Sequence, residues 1–547
     1  MNSSLIARGS SLNRILTLVT LPVLAATLGL SGCGGSGSAG APPSGGALIV
    51  ARVADAVGLD PAVQTDGNSL VIAQEIFRNL VRFKPGSFDV IPDIGRSWKT
   101  SADGKTWIFT LAPGLKFSDG TSLDAKAVKF NFDRWRDSKN PYRGAFPFAY
   151  YSDMLGGFDR KSLITGVDAP NPTTVVVHLK NAFTPLLRDL ALPSLAIGSP
   201  AGITAGAQAF DQSPVGSGPY VVSEWVHDDH ITLSANPSWP GPKPGYGTVI
   251  VRDIPDQSTS VLSMQKGDID MLIDPRPDDA KTLAAQPGIT LYHPTSNNVM
   301  YLAMNVQKKP FGNVLVRRAI AYAIDKEAIV KRFYAEGATV ADNWTPVGML
   351  GENPAVKAYP HDPAKARALL AKAGLSHFAT ELYYPTTPRP YMPEPQRVAE
   401  AIQADLATVG IDVTLEPFEF GVFLHKVQNG EHPMCLIGWT GDNGDPDDFM
   451  YPLLDQDSAI VGEAQNYSFW RDPAFHKLML AGQQTPEGPA RAAIYRQANA
   501  MIGDQVPAIS ISHSVVSFVA KSSIEGIIAN PDVSFNFISM KPKGGPK

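Results

Sequence analysis

Two charged residues stand in loops whose composition suits ligand contact. Arg389 lies in Thr387-Pro388-Arg389-Pro390-Tyr391. Asp442 lies in Gly438-Trp439-Thr440-Gly441-Asp442-Asn443-Gly444-Asp445-Pro446-Asp447. A guanidinium can grip a carboxylate through two parallel hydrogen bonds. An ionised carboxylate accepts the hydrogens of an ammonium group. A site built from this pair selects a ligand that carries both charges, and it measures the distance between them. A very short free peptide is such a ligand. Proline fixes its own φ and restricts the residue before it, so Pro388 and Pro390 hold the arginine loop partly rigid before a ligand arrives. That lowers the ordering cost of binding. The bland alternatives are a solvated arginine and plain turn chemistry, since Asp, Asn and Gly all suit tight turns. The second loop does not follow the EF-hand order of Asp, Asp/Asn and Gly, so no metal is expected there, and no cofactor is implied.

Both loops must be carried by regular elements. The apolar run Met434-Cys435-Leu436-Ile437 reads as a strand leading into the Asp442 loop, with Cys435 a buried, inert thiol. Beyond the Arg389 loop, 394–409 has the pattern of a helix closed by Gly410, and 411–415 of the strand after it. Elsewhere strand and helix signals alternate. Strands are expected at 47–53, 106–111, 173–179 and 249–254, and helices at 69–80, 258–266 and 314–334. Asp124 and Asp362 look like N-caps, the latter followed by proline in the first turn, for helices reaching Arg136 and Gly374. This is a mixed α/β chain of at least two lobes.

The N-terminus has Arg8 and Arg14, no acid through Gly32, and an apolar run from Ile15 to Leu30. That is the layout of a secretory signal, and the run is short for a membrane span. Leu30-Ser31-Gly32-Cys33 resembles a bacterial lipobox. The resemblance implies a signal peptide at 1–32 and a lipid on Cys33, anchoring the chain to a membrane without spanning it. Residues 33–46 are rich in Gly, Ser and Pro and read as a flexible tether. With Cys33 lipidated, Cys435 has no partner for a disulfide. The 547 residues carry a formal charge of −5, which becomes −7 once Arg8 and Arg14 are removed. No basic patch of the nucleic-acid kind is visible.

Several ordered segments resemble the family 5 extracellular solute-binding proteins, the peptide receptors of ABC importers. They are Ser97-Trp98-Lys99-Thr100-Ser101-Ala102-Asp103-Gly104-Lys105-Thr106-Trp107 with Lys116-Phe117-Ser118-Asp119-Gly120; Pro214-Val215-Gly216-Ser217-Gly218-Pro219-Tyr220; Asn305 with Lys309-Pro310-Phe311; Val316-Arg317-Arg318-Ala319-Ile320; Ala323-Ile324-Asp325-Lys326; and 362–374. Ala127 and Ala112 depart from the family, which often has an acid and an arginine there. The dipeptide-binding type is the best match, and in it the arginine of an Arg-Pro-Tyr loop holds the peptide carboxylate. The aspartate of the Gly-Trp-Thr-Gly-Asp-Asn-Gly-Asp-Pro run holds the α-amino group. These roles carry over to Arg389 and Asp442, 53 positions apart.

The resemblance implies an α/β, two-lobed periplasmic binding protein fold of the large type (cluster C, type II). Lobe I would comprise 47–294 and 513–547, with a subdomain inserted at about 76–205, and lobe II 295–512. Gly438, Trp439 and Thr440 would meet the peptide backbone like an added strand and wall the pocket. Thr65, Gly67 and Asn68 would contribute from lobe I. The expected protein is a monomer outside the cytoplasm that hands short peptides to permease and ATPase subunits, and it is not an enzyme. Haem, glutathione and oligopeptides remain open as cargo, since Arg389 and Asp442 also suit glutathione. A secreted peptidase is the distant alternative. Neither Gly-x-Ser-x-Gly nor His-Glu-x-x-His occurs, and His227 and His230 read as part of a solvated turn.

Overall fold

Runs of β-branched and apolar residues build the centres of two large sheets in the computed structural model. It describes residues 46–294, 297–531 and 534–544, within one compact unit from Ser44 to Lys547. The leader at 1–32 and Cys33 lie outside the described residues, as does all of the 33–46 tether except Gly46. The first sheet has seven strands in the order Ile289–Tyr292, Phe518–Lys521, Met271–Ile273, Leu48–Arg52, Thr248–Asp253, His230–Ala235 and Tyr220–Val226. Leu48–Arg52 pairs in parallel with strands on both sides and is buried on both faces. A continuous apolar run is the pattern such a strand requires.

The second sheet has six strands in the order Thr339–Val340, Ala508–His513, Asn298–Met304, Met434–Thr440, Phe378–Pro385 and Ile411–Phe418. Asn298–Met304 is buried at every position between antiparallel neighbours. A third sheet, Gly95–Thr100, Thr106–Leu111, Thr174–Leu179 and Ile164–Asn171, is inserted within the first half of the chain. Thr174–Leu179 alternates buried and half-buried residues, so one face covers a separate core containing Phe109, Phe132 and Trp135.

The chain crosses between the two large sheets twice, from Tyr292 to Asn298 and from His513 to Phe518. The crossings are tied together. Ser517 Oγ lies 2.9 Å from His293 Nδ1, and the Ser514 amide donates to Asn298 Oδ1 at 2.8 Å. His513 Nδ1 donates to the Asn298 carbonyl at 2.6 Å.

The expected strands and caps are present. Asp124 accepts from the amides of Lys126 and Ala127, and Asp362 from Lys365. Cys435 is free and buried, and burial pushes its thiol up. His230 opens a strand, while His227 is exposed beside Asp55. Among the described residues, no helix is long and apolar enough to cross a membrane.

Two expected helices differ. The 314–334 segment is two helices, Val314–Ala323 and Lys326–Phe333. Asp325 caps the second by accepting from the Ala328 amide, while its own amide donates to Asp405 Oδ2 at 2.8 Å. The 69–80 helix instead spans Gly67–Ile76, because the 214–220 turn lies across its end. The Gly218 amide donates to the Ile76 carbonyl at 2.7 Å. A Cβ on Gly216 would sit 2.1 Å from the same oxygen. Gly216→Ala is therefore expected to cost about 1–3 kcal/mol, in line with overpacked sites. Gly166→Ala, where a Cβ meets nothing within 4 Å, should stay within about 0.5 kcal/mol. Urea unfolding of both variants checks this.

Candidate ligand-binding site

The strands Phe378–Pro385 and Met434–Thr440 run parallel in the second sheet. The loops that follow them therefore leave the sheet at the same edge. Arg389 follows the first of these strands and Asp442 the second, which Gly438, Trp439 and Thr440 end.

The arginine loop is a tight turn. The Arg389 amide donates to the Met392 carbonyl at 3.0 Å, and the Met392 amide returns the bond at 2.8 Å. Pro390 sits just after the turn's first residue, where its fixed φ is preferred. Ser514 Oγ donates to the Pro390 carbonyl at 2.5 Å, fastening the turn to one crossing. Tyr391 is buried and its ring lies against Gly438, where a Cβ would be 2.4 Å from the ring and 2.5 Å from the Val299 carbonyl. Only glycine fits this contact.

The Arg389 guanidinium lies over the ring of Phe420, with Cζ 3.3 Å from the centroid. Its face is thus occupied by an aromatic quadrupole. Its Nε is buried with no hydrogen-bond partner among the described residues. Burial pulls its pKa down, with Tyr391 and Glu419 opposing. A half-buried cation that has no carboxylate within ion-pair distance among the described residues is costly, and an anionic ligand group would relieve that cost.

At the other end, Asp442 is half-buried two residues beyond its strand. Its amide donates to Asp448 Oδ2 at 2.7 Å, and Trp439 Nε1 donates to Asp448 Oδ1 at 3.2 Å. Asp448 is thus the fixed point of the loop. Burial, then the charge of Asp442, pushes its carboxyl well above the usual range. Asp445 caps the helix Pro446–Leu454 and takes both ends of Arg491, at 2.7 and 2.8 Å. A Cβ on Gly441 would meet the Phe449 ring at 2.3 Å. The acids around Asp442 therefore shape and brace the loop.

The opposing side supplies a residue that the sequence does not reveal. Tyr150 Oη donates to Asp442 Oδ1 at 2.9 Å. Tyr150 lies in the short helix Ala149–Met154 of the inserted region, whose N-cap, Phe148, has φ 51°. A left-handed non-glycine residue persists where its surroundings over-determine it. The buried Phe148 ring lies 4.1 Å from Arg143 Cζ and 5.0 Å from Arg134 Cζ, and Arg134 is paired with Asp60. This packing aims Tyr150 at Asp442.

Trp439 is half-buried, leaning on the second-sheet core and bracing Asp448. Thr440 ends its strand opposite Asn298. Thr65, Gly67 and Asn68 lie at the start of the helix Gly67–Ile76, which Asp66 caps. The Asn68 carbonyl accepts from Arg52 at 2.8 Å.

Residues 89–459 match the bacterial extracellular solute-binding proteins, family 5 middle region. The chain belongs to that family. It is 34% identical over 487 residues to a dipeptide-binding protein of Escherichia coli (strain K12), covering 87% of this chain and 90% of that one. It is 31% identical over 538 residues to heme-binding protein A of Haemophilus influenzae, covering 94% and 96%. The solved structure of the ABC transporter-associated periplasmic binding protein DppA from Helicobacter pylori, in complex with the peptide STSA, matches at TM-score 0.79 and 30% identity. That match covers 91% of this chain and 98% of that one. The architecture is thus the two-lobed periplasmic binding protein fold.

Gly438→Ala should displace Tyr391 and loosen the turn behind it. Amide exchange at Arg389 and Met392 is expected to speed at least about tenfold, the equivalent of ~1.4 kcal/mol of local stability. Exchange unchanged in the variant would mean that Tyr391 does not pin the loop.

Proposed function

We propose that this chain is the solute-capturing component of an ABC importer, and that its cargo is short free peptides, dipeptides foremost. One observation carries the reading. A half-buried guanidinium whose Nε has no hydrogen-bond partner among the described residues, and an acidic loop, follow two neighbouring parallel strands. Arg389 takes the ligand carboxylate. Asp442 takes the α-ammonium, with Tyr150 sharing that carboxylate from the other side. Gly438, Trp439 and Thr440 line the ligand backbone, and Thr65, Gly67 and Asn68 approach from lobe I. Backbone and end-group recognition leaves the ligand's side chains unread, which suits a receptor for many peptides.

Lobe I comprises 47–294 and 513–547, with a subdomain inserted at about 76–205, and lobe II comprises 295–512. The two crossings serve as the hinge, and closure is favoured to the extent that the closed form binds better. A lipid on Cys33 holds this monomer outside the cytoplasmic membrane, beside the permease and ATPase subunits. It delivers its ligand unchanged and is not an enzyme.

Two findings keep the cargo wider than dipeptides. The peptide STSA in the Helicobacter pylori relative has four residues. The Haemophilus influenzae relative is a heme-binding protein. Glutathione stays in the comparison because it carries the same charged groups.

Melting of the Ser44–Lys547 unit tests the reading, since a ligand that binds only the folded form raises Tm. A free dipeptide should raise it. The N-acetylated or amidated dipeptide should not, and neither should haem. Arg389→Ala and Asp442→Ala should each lose about 2–5 kcal/mol of dipeptide affinity, the cost of truncating a buried charge pair. A shift with blocked peptides, or with haem or glutathione alone, would overturn the dipeptide assignment.

A further inference from the structure

We propose that closure of the inserted subdomain onto lobe II takes up a proton, and that Asp189 carries it. The inference rests on the two-lobed reading above.

Asp189 ends the short helix Leu186–Asp189 of the inserted region and is 1% exposed. Its Oδ1 accepts from Asn443 Nδ2 at 2.7 Å, across the contact between the two bodies. Its Oδ2 has no hydrogen-bond partner among the described residues. The same contact is closed by other cross-bonds. The Thr184 amide donates to the Gln483 carbonyl at 2.7 Å, and Thr184 Oγ1 to the Thr485 carbonyl at 2.8 Å. Gly444 packs so tightly on Phe88 that a Cβ would lie 2.3 Å from its ring.

The charges that face Asp189 do not neutralise it. The 443–448 segment presents Asp445, Asp447 and Asp448. Behind them, Arg491 is committed to both oxygens of Asp445, and Tyr495 Oη donates to Asp447 Oδ1 at 3.3 Å. Glu487 lies 3.2 Å from Arg188 Nη2. Arg188 also donates to the Phe88 carbonyl at 2.9 Å and the Asn443 carbonyl at 3.5 Å. Arg188 and Arg491 are thus both engaged elsewhere. Burial, with the Asp445, Asp447 and Asp448 carboxylates adding to it, holds the Asp189 carboxyl well above the ordinary range. Asp447 is itself pushed up to about 8.

The sign follows from linkage. In an opened form Asp189 meets water and ionises near ~3.9. In the closed form its pKa is raised. Closure therefore binds a proton at any pH between the two values, and is favoured as pH falls. Dipeptide affinity should weaken as pH rises, by up to about tenfold per pH unit.

The experiment compares the Ser44–Lys547 unit with Asp189→Asn, which keeps an acceptor for Asn443. Kd for Ala-Ala is measured from about pH 5 to 7, where both peptide termini stay ionised. Small-angle scattering of the ligand-free unit is recorded over the same range. Wild type should weaken with a slope approaching one log unit per pH unit and expand as pH rises. Asp189→Asn should bind with a flat profile, more tightly than wild type at pH 7, and keep its size. Equal slopes in the two proteins, or a flat wild-type profile, overturn the inference. If Ala-Ala binds at no pH, the peptide reading fails, and scattering alone decides. A wild-type size that does not change, or changes equally in the variant, then overturns the proton step.

Discussion

A charge taken partly out of water must be met by an opposite charge or be held at a cost, and this constraint organises the site. Arg389 meets an aromatic face and its own turn. Phe420 covers the flat of the guanidinium and fixes its plane. The acidic end is built differently. Asp442 is presented by a loop whose amide and indole donors both converge on Asp448. The two ends are held independently, one by stacking and one by hydrogen bonding, yet both rest on the strand Met434–Thr440.

Close backbone approach is what lets these parts fit. Gly438 admits the Tyr391 ring, Gly441 admits Phe449, and Gly444, at φ 67°, admits Phe88. Gly216 and Gly218 do the same where the 214–220 turn stops a helix at Ile76. Glycine at 216, 218, 438 and 441 removes a side chain, while at 444 it also supplies the positive φ. The glycine-rich motifs of this chain are thus packing devices at joints between elements, and they place the loops to within a fraction of an ångström of a clash.

Local chemistry was legible in the residues. Asp124 and Asp362 act within three positions of themselves, and the helices start where those acids stand. The strand leading into the Asp442 loop was legible as well, because its apolar run is continuous. What escaped depends on distant chain. The apolar periodicity of 314–334 runs through the break at Asp325, and nothing nearby announces that Asp405 holds its amide. Tyr150 reaches Asp442 across 292 positions of sequence, from a segment with no periodicity of its own. Phe420 was likewise silent, since a phenylalanine at the start of a helix has an ordinary explanation. Thr65, Gly67 and Asn68 stand at a helix start, where Asp66 as N-cap is the residue whose role was local.

Arg389 and Asp442 hang from neighbouring strands of a single sheet, while the two crossings that join the sheets are bound side by side through Ser517, His293, Ser514 and Asn298. A pair of tied ribbons bends readily about one axis and resists twisting or sliding. Both charged loops are therefore carried by one sheet, and a change of angle between the two large sheets would move them as a pair without altering the strands that set their spacing.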